Sequence, residues 1–204
     1  EALLNKKIDL AVHSHKDLET NPPRGLLVAA VSDREDPSEL LLIRKEAVNT
    51  SKRFSMKEKA IVGTSSARRK SQLLAFRPDI EIKELRGNVP TRINKLREGG
   101  YDAIMLAKAG VSRLEIDLSE FHVITLDPKE FIPAPAQGAL GLQIRENDAD
   151  LFKLLQQMND RDVQKRIYIE RKVLNLLDGG CQLPLGVYCE EEYGIMKTWV
   201  SQAE

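Results

Sequence analysis

The sequence predicts an α/β fold in which strands alternate with helices and form a largely parallel sheet. In the central part of the chain, short apolar runs alternate with longer segments of helical periodicity. Glycine, proline, serine and asparagine separate these segments, as expected for turns and caps. Strands joined by helices of this length favour parallel pairing with helices on both faces of the sheet. Open sheets of this kind bind ligands outside the carboxyl ends of their strands.

The composition is that of a globular protein. The chain has 204 residues, of which 42% are hydrophobic and 30% are charged, with a formal net charge of zero. This length suits one large domain or two smaller ones. The longest uninterrupted apolar run, Leu26–Val31, is too short to span a bilayer, so we expect no membrane association. No basic-then-apolar leader opens the sequence and only two cysteines occur, which favours a cytoplasmic location.

The first segment predicts the end of a helix, two strands and a loop. Residues 1–7 carry an apolar group followed by two lysines, as at the last turn of a helix. We expect a strand over residues 8–12, with polar residues at its carboxyl end. A second strand over Leu26–Val31 follows a proline-containing turn.

The central segment predicts three strands and two helices. The helix Ala67–Phe76 follows capping hydroxyl residues and is stopped by Pro78. The second helix, residues 90–97, begins with proline and ends at a pair of glycines. The expected strands cover residues 60–62, 80–85 and 102–107.

The last segment predicts one strand, two helices and a final pair of strands. The expected strand covers residues 139–144, the helices 149–158 and 163–177, and the strand pair 184–200. Gly179 and Gly180 permit a left-handed cap after the second of these helices, and Cys181 follows at once. The glycines would allow an exposed, reactive or modified thiol; a buried and inert thiol is the alternative.

Basic residues are concentrated in the middle of the chain. Residues 61–113 contain eleven Lys/Arg and five Asp/Glu, whereas residues 114–204 contain nine and sixteen. A balanced chain with a basic middle indicates a local site for an anion. The alternative is that these side chains lie on solvated helix faces.

Two arginines occupy the first turn of the first central helix. Arg68 and Arg69 follow Thr64, Ser65 and Ser66. Cations at this position oppose the helix dipole, and a bound anion would offset that cost. Alternatively, both arginines point to water.

Arginines also follow the other two central strands. Arg86 and Arg92 come after the second strand and Arg113 after the third. In a parallel sheet these positions and those of Arg68 and Arg69 fall along one edge. We call this set of five arginines the arginine rim. Aromatic residues make up only 5% of the chain, so the rim suits carboxylates or phosphates on a small molecule better than single-stranded nucleic acid.

A polar cluster follows the first predicted strand. Ser14, Lys16 and Asp17 lie there, and a carboxylate beside a cation can stay ionised and take part in proton transfer. Such Lys–Asp neighbours are also common on ordinary surfaces. His13 and His15 could face one side of an extended segment, but without a third ligand we expect no metal site.

Taken in order, these segments resemble the porphobilinogen deaminase (hydroxymethylbilane synthase) family of tetrapyrrole biosynthesis. The resemblance covers essentially the whole chain, and the ordered set of motifs is far more specific than any one of them. The matching stretches are residues 11–17, 62–69, 85–89 with Thr91 and Arg92, 101–104, 134–138 and 179–182.

The resemblance implies a transferase that joins four porphobilinogen molecules head to tail with loss of ammonia. The family builds its product on a dipyrromethane cofactor, held by a thioether to the cysteine that matches Cys181. Asp17 matches the catalytic acid and base, with Lys16 beside it. The other implied cofactor-binding residues are Ser14, Thr64, Ser65, Ser66, Arg68, Arg69, Arg86 and Arg92. The implied substrate-binding residues are Arg113, Gln137 and Gly138.

The resemblance also implies three domains. Two periplasmic-binding-protein-like lobes with mixed or parallel sheets, joined by a hinge, would cover residues 1–36 with 138–157 and residues 42–132. A small α+β domain would cover residues 161–204. The family's N-terminal part of domain 1 and the end of domain 3 have no counterpart here, so we expect a fragment that is not a competent catalyst alone. A monomer that binds neither nucleic acid nor membrane is expected.

Two other classes of function compete with the transferase. A non-catalytic, two-lobed binding module for a small carboxylate would need the arginine rim but neither Asp17 nor a modified Cys181. Nucleic-acid binding through the basic middle would show affinity that falls steeply with salt.

Overall fold

The computed structural model describes residues 1–20, 22–177 and 184–203. The chain forms two compact units. The first unit contains residues 1–36, 134–182 and 187–200, and the second contains residues 37–133, 183–186 and 201–204. Gly179, Gly180 and Cys181 lie outside the described residues, so the predictions for the thiol loop stay predictions. The division into three domains stays a prediction as well.

The first unit is built on a three-stranded sheet. Its strands are β1 (Ala11–Ser14), β2 (Leu26–Val31) and β8 (Leu140–Arg145). β8 lies in the middle and pairs antiparallel with both neighbours. This sheet therefore joins a strand from late in the chain to two from its beginning. Its buried apolar core includes Ala29, Ala30 and Ile144.

The opening residues differ from the prediction. Residues 2–6 form turns rather than the end of a helix, and β1 begins at Ala11 rather than at residue 8. Instead of pairing with a strand, the carbonyl of Ile8 accepts from Arg145 Nη1 at 2.8 Å, and the carbonyl of Leu3 accepts from the same atom at 3.0 Å. A side chain therefore holds these carbonyls in place of a neighbouring strand.

The second unit contains a five-stranded mixed sheet in the order β5-β4-β6-β3-β7. β4 pairs parallel with both β5 and β6, whereas β3 runs antiparallel to both β6 and β7. The α/β class and the three predicted central strands are confirmed. The sheet is mixed, one of the two forms that the resemblance implies, because β3 runs antiparallel to both of its neighbours. β3 and β7 are the two strands that the sequence analysis did not predict. The strands are β3 (Glu39–Ile43), β4 (Ile61–Gly63), β5 (Glu81–Lys83), β6 (Ala103–Ala107) and β7 (His122–Leu126).

Three helices follow the parallel strands of this sheet. α1 (Ala67–Phe76) has the predicted bounds, and the Ser66 side chain caps it by accepting from the amide of Arg69. α2 (Val89–Arg97) is capped in the same way by Asn88, and the short α3 (Lys108–Ser112) follows β6 directly. Separate apolar clusters, one containing Leu41 and the other Leu42, form the core of this unit.

The rest of the chain forms two helices and a strand pair. α4 (Ala149–Leu155) continues as a short 3-10 helix, and α5 (Arg161–Leu176) follows it. Asp148 and Asp160 cap the two α-helices. The two strands predicted for the last stretch are present as β9 (Leu185–Glu192) and β10 (Ile195–Gln202), and they pair with each other. None of the helices in the described part of the chain combines the length and hydropathy that a membrane span requires.

Candidate functional site

The ends of β4, β5 and β6 lie side by side at one edge of the mixed sheet. These strands are parallel neighbours in the order β5-β4-β6, so the loops that carry Arg86, Thr64 and Lys108 begin at the same edge. The topology therefore brings the starts of these three loops to one edge of the sheet. What each arginine does there depends on its side-chain partners.

Arg68 and Arg69 are buried ion-pair partners of Glu39. Their residues are each 6% exposed. Arg68 Nη2 donates to Glu39 Oε1 and Arg69 Nη2 donates to Glu39 Oε2, both at 2.6 Å. The alternative that both arginines point to water is wrong. The bound carboxylate that their position in the helix suggested is, in this structure, a side chain of the protein.

The hydroxyl groups before α1 build the turn that leads into the helix. Ser65 Oγ accepts from the amide of Leu85 at 3.0 Å and donates to its carbonyl at 2.9 Å. Thr64 is 4% exposed, and its Oγ1 accepts from the amide of Ser66 at 3.2 Å. Because these groups satisfy backbone atoms, their positions are explained by the fold without a ligand.

The other rim arginines are more exposed. Arg92 is half-buried and its Nε donates to the carbonyl of Gly87 at 2.7 Å. Burial lowers the pKa of Arg92, and the neighbouring positive charge of Arg69 lowers that pKa further. The Arg86 side chain is 81% exposed and pairs with Glu84. Arg113 is exposed in the residue after α3.

The surplus of positive charge persists inside the second unit. Two buried arginines share the carboxylate of Glu39. The positive charge of Arg69, after burial, contributes to the lowered pKa of Arg92. Arg69 Nε is buried and has no hydrogen-bond partner among the described residues. An unneutralised guanidinium with an unused donor is a group that a carboxylate would stabilise.

In the first unit, Asp17 lies on an exposed turn after β1. His15–Asp17 form a 3-10 helix, and the amide of His15 donates to the carbonyl of Ala139 at 3.0 Å. Arg171 from α5 donates to the carbonyls of His15 at 3.3 Å and Leu18 at 3.2 Å. The turn that presents the Asp17 carboxylate is therefore held from both sides.

A cavity of about 510 Å³ lies beside this turn, and Asp17, His13 and His15 line it. His15 is 5% exposed, and burial, with the charge of Arg171 as the next cause, lowers its pKa to about 4. A neutral imidazole is thus expected at physiological pH. The described residues contain no cluster of His, Cys, Asp or Glu that could hold a metal ion.

Two predicted residues that are distant in sequence come together in the first unit. Lys16 Nζ donates to Gln137 Oε1 at 3.3 Å. Gly138 has a φ of +98°, and a Cβ there would lie 2.2 Å from the carbonyl oxygen of Glu35, so this position requires glycine for packing. Ser14 closes β1 opposite Leu140.

Several residues of these two clusters are not evident from the sequence. Glu39 and Gln72 hold the arginines and the backbone of Ile132 in the second unit, and Arg171 holds the Asp17 turn in the first. The one local signal that could have indicated Glu39 is its position directly before the apolar run Leu40–Ile43. The others become recognisable only from their contacts.

The strand ends and their charges define an α/β protein with a candidate site for carboxylates. Residues 1–153 match the family model described as "Porphobilinogen deaminase, dipyromethane cofactor binding domain". The chain therefore belongs to the porphobilinogen deaminase family.

Curated relatives of the chain include bacterial porphobilinogen deaminases. The chain is 44% identical over 191 residues to the protein of Bacillus subtilis (strain 168), a match that covers 92% of this chain and 58% of that relative. It is 45% identical over 187 residues to the protein of Bacillus cereus (strain AH187), covering 92% and 59%. The chain thus spans less than two thirds of the length of these relatives.

The comparison with solved structures matches solute-binding proteins at low similarity. The ancestral cationic amino acid solute-binding protein AncCDT-1 shares 14% identity at a TM-score of 0.46, covering 87% of this chain and 69% of that one. The Salmonella typhimurium periplasmic binding protein STM4351 shares 15% identity at a TM-score of 0.45, covering 84% and 74%. At these scores the similarity defines neither the function nor the arrangement of the two units.

Proposed function

We propose that the chain is part of a hydroxymethylbilane synthase. This transferase would join four porphobilinogen molecules head to tail, with loss of ammonia at each addition. The observation that carries the proposal is the surplus of guanidinium charge where Arg68 and Arg69 share the single carboxylate of Glu39, within a chain of this family. Every pyrrole of the substrate carries an acetate and a propionate group, so a growing chain of pyrroles needs such charge.

The described residues fit a dipyrromethane cofactor in one testable respect. The buried Nε of Arg69 has no partner among them, and the two buried arginines share a single carboxylate. An additional carboxylate would supply both the missing acceptor and the missing charge. Arg68, Arg69 and Arg92 would hold the cofactor's acid groups, Arg86 and Arg113 would extend the rim, and Cys181 would carry the thioether. When bound, the cofactor would supply the pyrrole end on which the product grows.

Asp17 would supply the proton transfers. Its carboxyl group would give a proton that leaves with the amino group of porphobilinogen as ammonia. It would then take up the proton that the pyrrole carbon loses on coupling, which returns Asp17 to its starting state. An exposed carboxylate on a firmly held turn suits this role, because substrate can reach it while its backbone stays in place. Lys16, held by Gln137, would bind a substrate carboxylate nearby.

The intact mass of the full-length protein tests this proposal. When the protein is purified from cells that make tetrapyrroles, we expect a mass greater than that of its sequence by one dipyrromethane. Cys181→Ser should lack the added mass. Cys189→Ser is the matched control and should keep it, because Cys189 is buried and burial raises the pKa of its thiol. An unmodified wild-type protein would contradict the transferase and favour a binding module for a small carboxylate.

A further inference from the structure

Glu39 occupies a buried position where the mixed sheet meets α1. It is the first residue of β3 and is 0% exposed. In the antiparallel register it lies opposite Ala107, the last residue of β6. A strand running against β6 therefore brings its first residue to the edge at which the parallel strands end. There the carboxylate meets Arg68 and Arg69 from the first turn of α1.

Each guanidinium is fixed at two points. Besides Glu39, Arg68 Nη1 donates to the carbonyl of Ile132 at 2.9 Å, and Arg69 Nη1 donates to the carbonyl of Met105 at 3.1 Å. Two hydrogen bonds on one planar group determine its orientation, which a single bond would not. Glu39 is the shared member, so one carboxylate sets the relative position of both arginines.

The charges at this point do not cancel. One carboxylate faces two guanidinium groups, and the charge of Arg69 lowers the pKa of Arg92 at the start of α2. Without Glu39, two buried cations would repel each other and lose their fixed geometry. With Glu39, one positive charge of the two guanidinium groups remains unbalanced in a defined place, and a further carboxylate would be stabilised there.

We propose that Glu39 is a positioning residue for the anion site, orienting Arg68 and Arg69 so that they bind one carboxylate of a pyrrole acid. This inference rests on the proposed function and adds a residue to its binding machinery. Glu39 acts through the arginines and does not itself touch the ligand.

The test uses the 204-residue chain and a probe that cannot react. The probe is the pyrrole that carries the acetate and propionate groups of porphobilinogen without the aminomethyl group. Its dissociation constant is measured by calorimetry, and the arginine Nε–H resonances are followed by NMR. Glu39→Asp keeps the charge but shortens the side chain by one methylene, so it cannot reach both guanidinium groups. We expect about tenfold weaker binding and shifted Nε–H resonances of Arg68 and Arg69.

The matched control is Glu120→Asp. Glu120 makes an ion pair with Arg97 on the exposed surface of the same unit, so the same shortening should leave binding of the probe unchanged. Arg69→Lys provides a second test if Glu39→Asp does not fold, because lysine keeps the charge but loses the planar fork. It too should weaken binding about tenfold.

The outcomes separate this inference from the proposed function. If wild-type protein and a folded Glu39→Asp variant bind the probe equally, the positioning role is wrong while the anion site stands. Equal binding by wild type and Arg69→Lys would likewise overturn it. If wild-type protein does not bind the probe, the anion site fails and the inference fails with it.

Discussion

Arg34 and Glu170 form a buried, bidentate ion pair in the first unit. Arg34 Nη1 donates to Glu170 Oε1 at 2.7 Å and Nη2 donates to Oε2 at 3.1 Å, with side chains 4% and 0% exposed. The same carboxylate accepts from the backbone amides of Ala136 at 2.7 Å and Cys189 at 2.8 Å. One side chain of α5 thus ties together the segment after β2, the segment before β8, and β9.

Glu170→Gln is expected to destabilise the protein strongly. The change leaves the Arg34 charge buried without its counter-charge, and breaking a buried pair in this way typically costs about 3–5 kcal/mol. The free energy of unfolding in urea measures the loss. Glu120→Gln is the control, since its pair with Arg97 is exposed and should contribute no measurable stability. Equal stability of wild type and Glu170→Gln would show that the pair contributes nothing.

His15 is expected to make stability depend on pH between about 4 and 6.5. Burial and the charge of Arg171 lower its pKa to about 4 in the folded protein, whereas an unfolded histidine titrates near 6.5. Between these values the unfolded chain binds more protons, so stability rises with pH through this range and falls as the pH drops. The full effect is about 3 kcal/mol.

The measurement for His15 is urea unfolding at several pH values. His15→Gln removes the titrating group. The free energy of unfolding of wild type minus that of the variant should therefore rise steadily from pH 4 to pH 6.5 and then stay constant. A difference that is the same at every pH would show that His15 does not titrate in this range.

Gly138→Ala should be much more disruptive than Gly194→Ala. Both glycines have positive φ values, +98° and +77°, so alanine is strained at each by about 1–2 kcal/mol. Only at Gly138 would the new Cβ meet a backbone atom, the carbonyl oxygen of Glu35 at 2.2 Å, whereas nothing lies within 4 Å of it at Gly194. Thermal unfolding should show the larger loss at Gly138, by about 2 kcal/mol or more. Similar losses would mean that backbone strain alone matters.

Arg68→Leu should lower both stability and cofactor attachment in the full-length protein. It removes the contacts to Glu39 and Ile132, at a cost of about 2 kcal/mol. Arg86→Leu is the control for stability. Its side chain is 81% exposed, so the free energy of unfolding should change by no more than about 0.5 kcal/mol. Unfolding and intact mass are measured on both variants. Full attachment in a folded Arg68→Leu protein would remove Arg68 from the cofactor site.

Asp17→Asn should nearly abolish turnover in the full-length protein while leaving cofactor attachment and folding unchanged. The amide cannot give or take the proton, which typically lowers the rate by about 10²–10⁴-fold. Glu19→Gln is the control because it removes an exposed carboxylate that lines the same cavity. The rate of product formation measures the effect. Near-normal turnover in the Asp17→Asn variant would exclude Asp17 from the chemistry.

Local signals in the sequence define the elements that carry the arginine rim. Ser66 and Pro78 bracket α1, whose bounds agree with the prediction, because a hydroxyl cap and a proline act within a few residues of the helix they limit. β3 has no such signal. All five of its residues are buried, so it shows none of the alternation that marks a half-buried strand.

The sequence by itself determined that arginines follow three strands of an α/β protein. Because parallel neighbouring strands end at the same edge of their sheet, it also predicted that the loops carrying these arginines begin at one edge. Only the tertiary structure decided which of those arginines are buried and what they bind. Glu39 is distant from Arg68 and Arg69 in sequence, and it reaches them because β3 runs antiparallel beside β6. Burial then holds these opposite charges together, because leaving either side unpaired away from water would cost far more than the pair itself contributes.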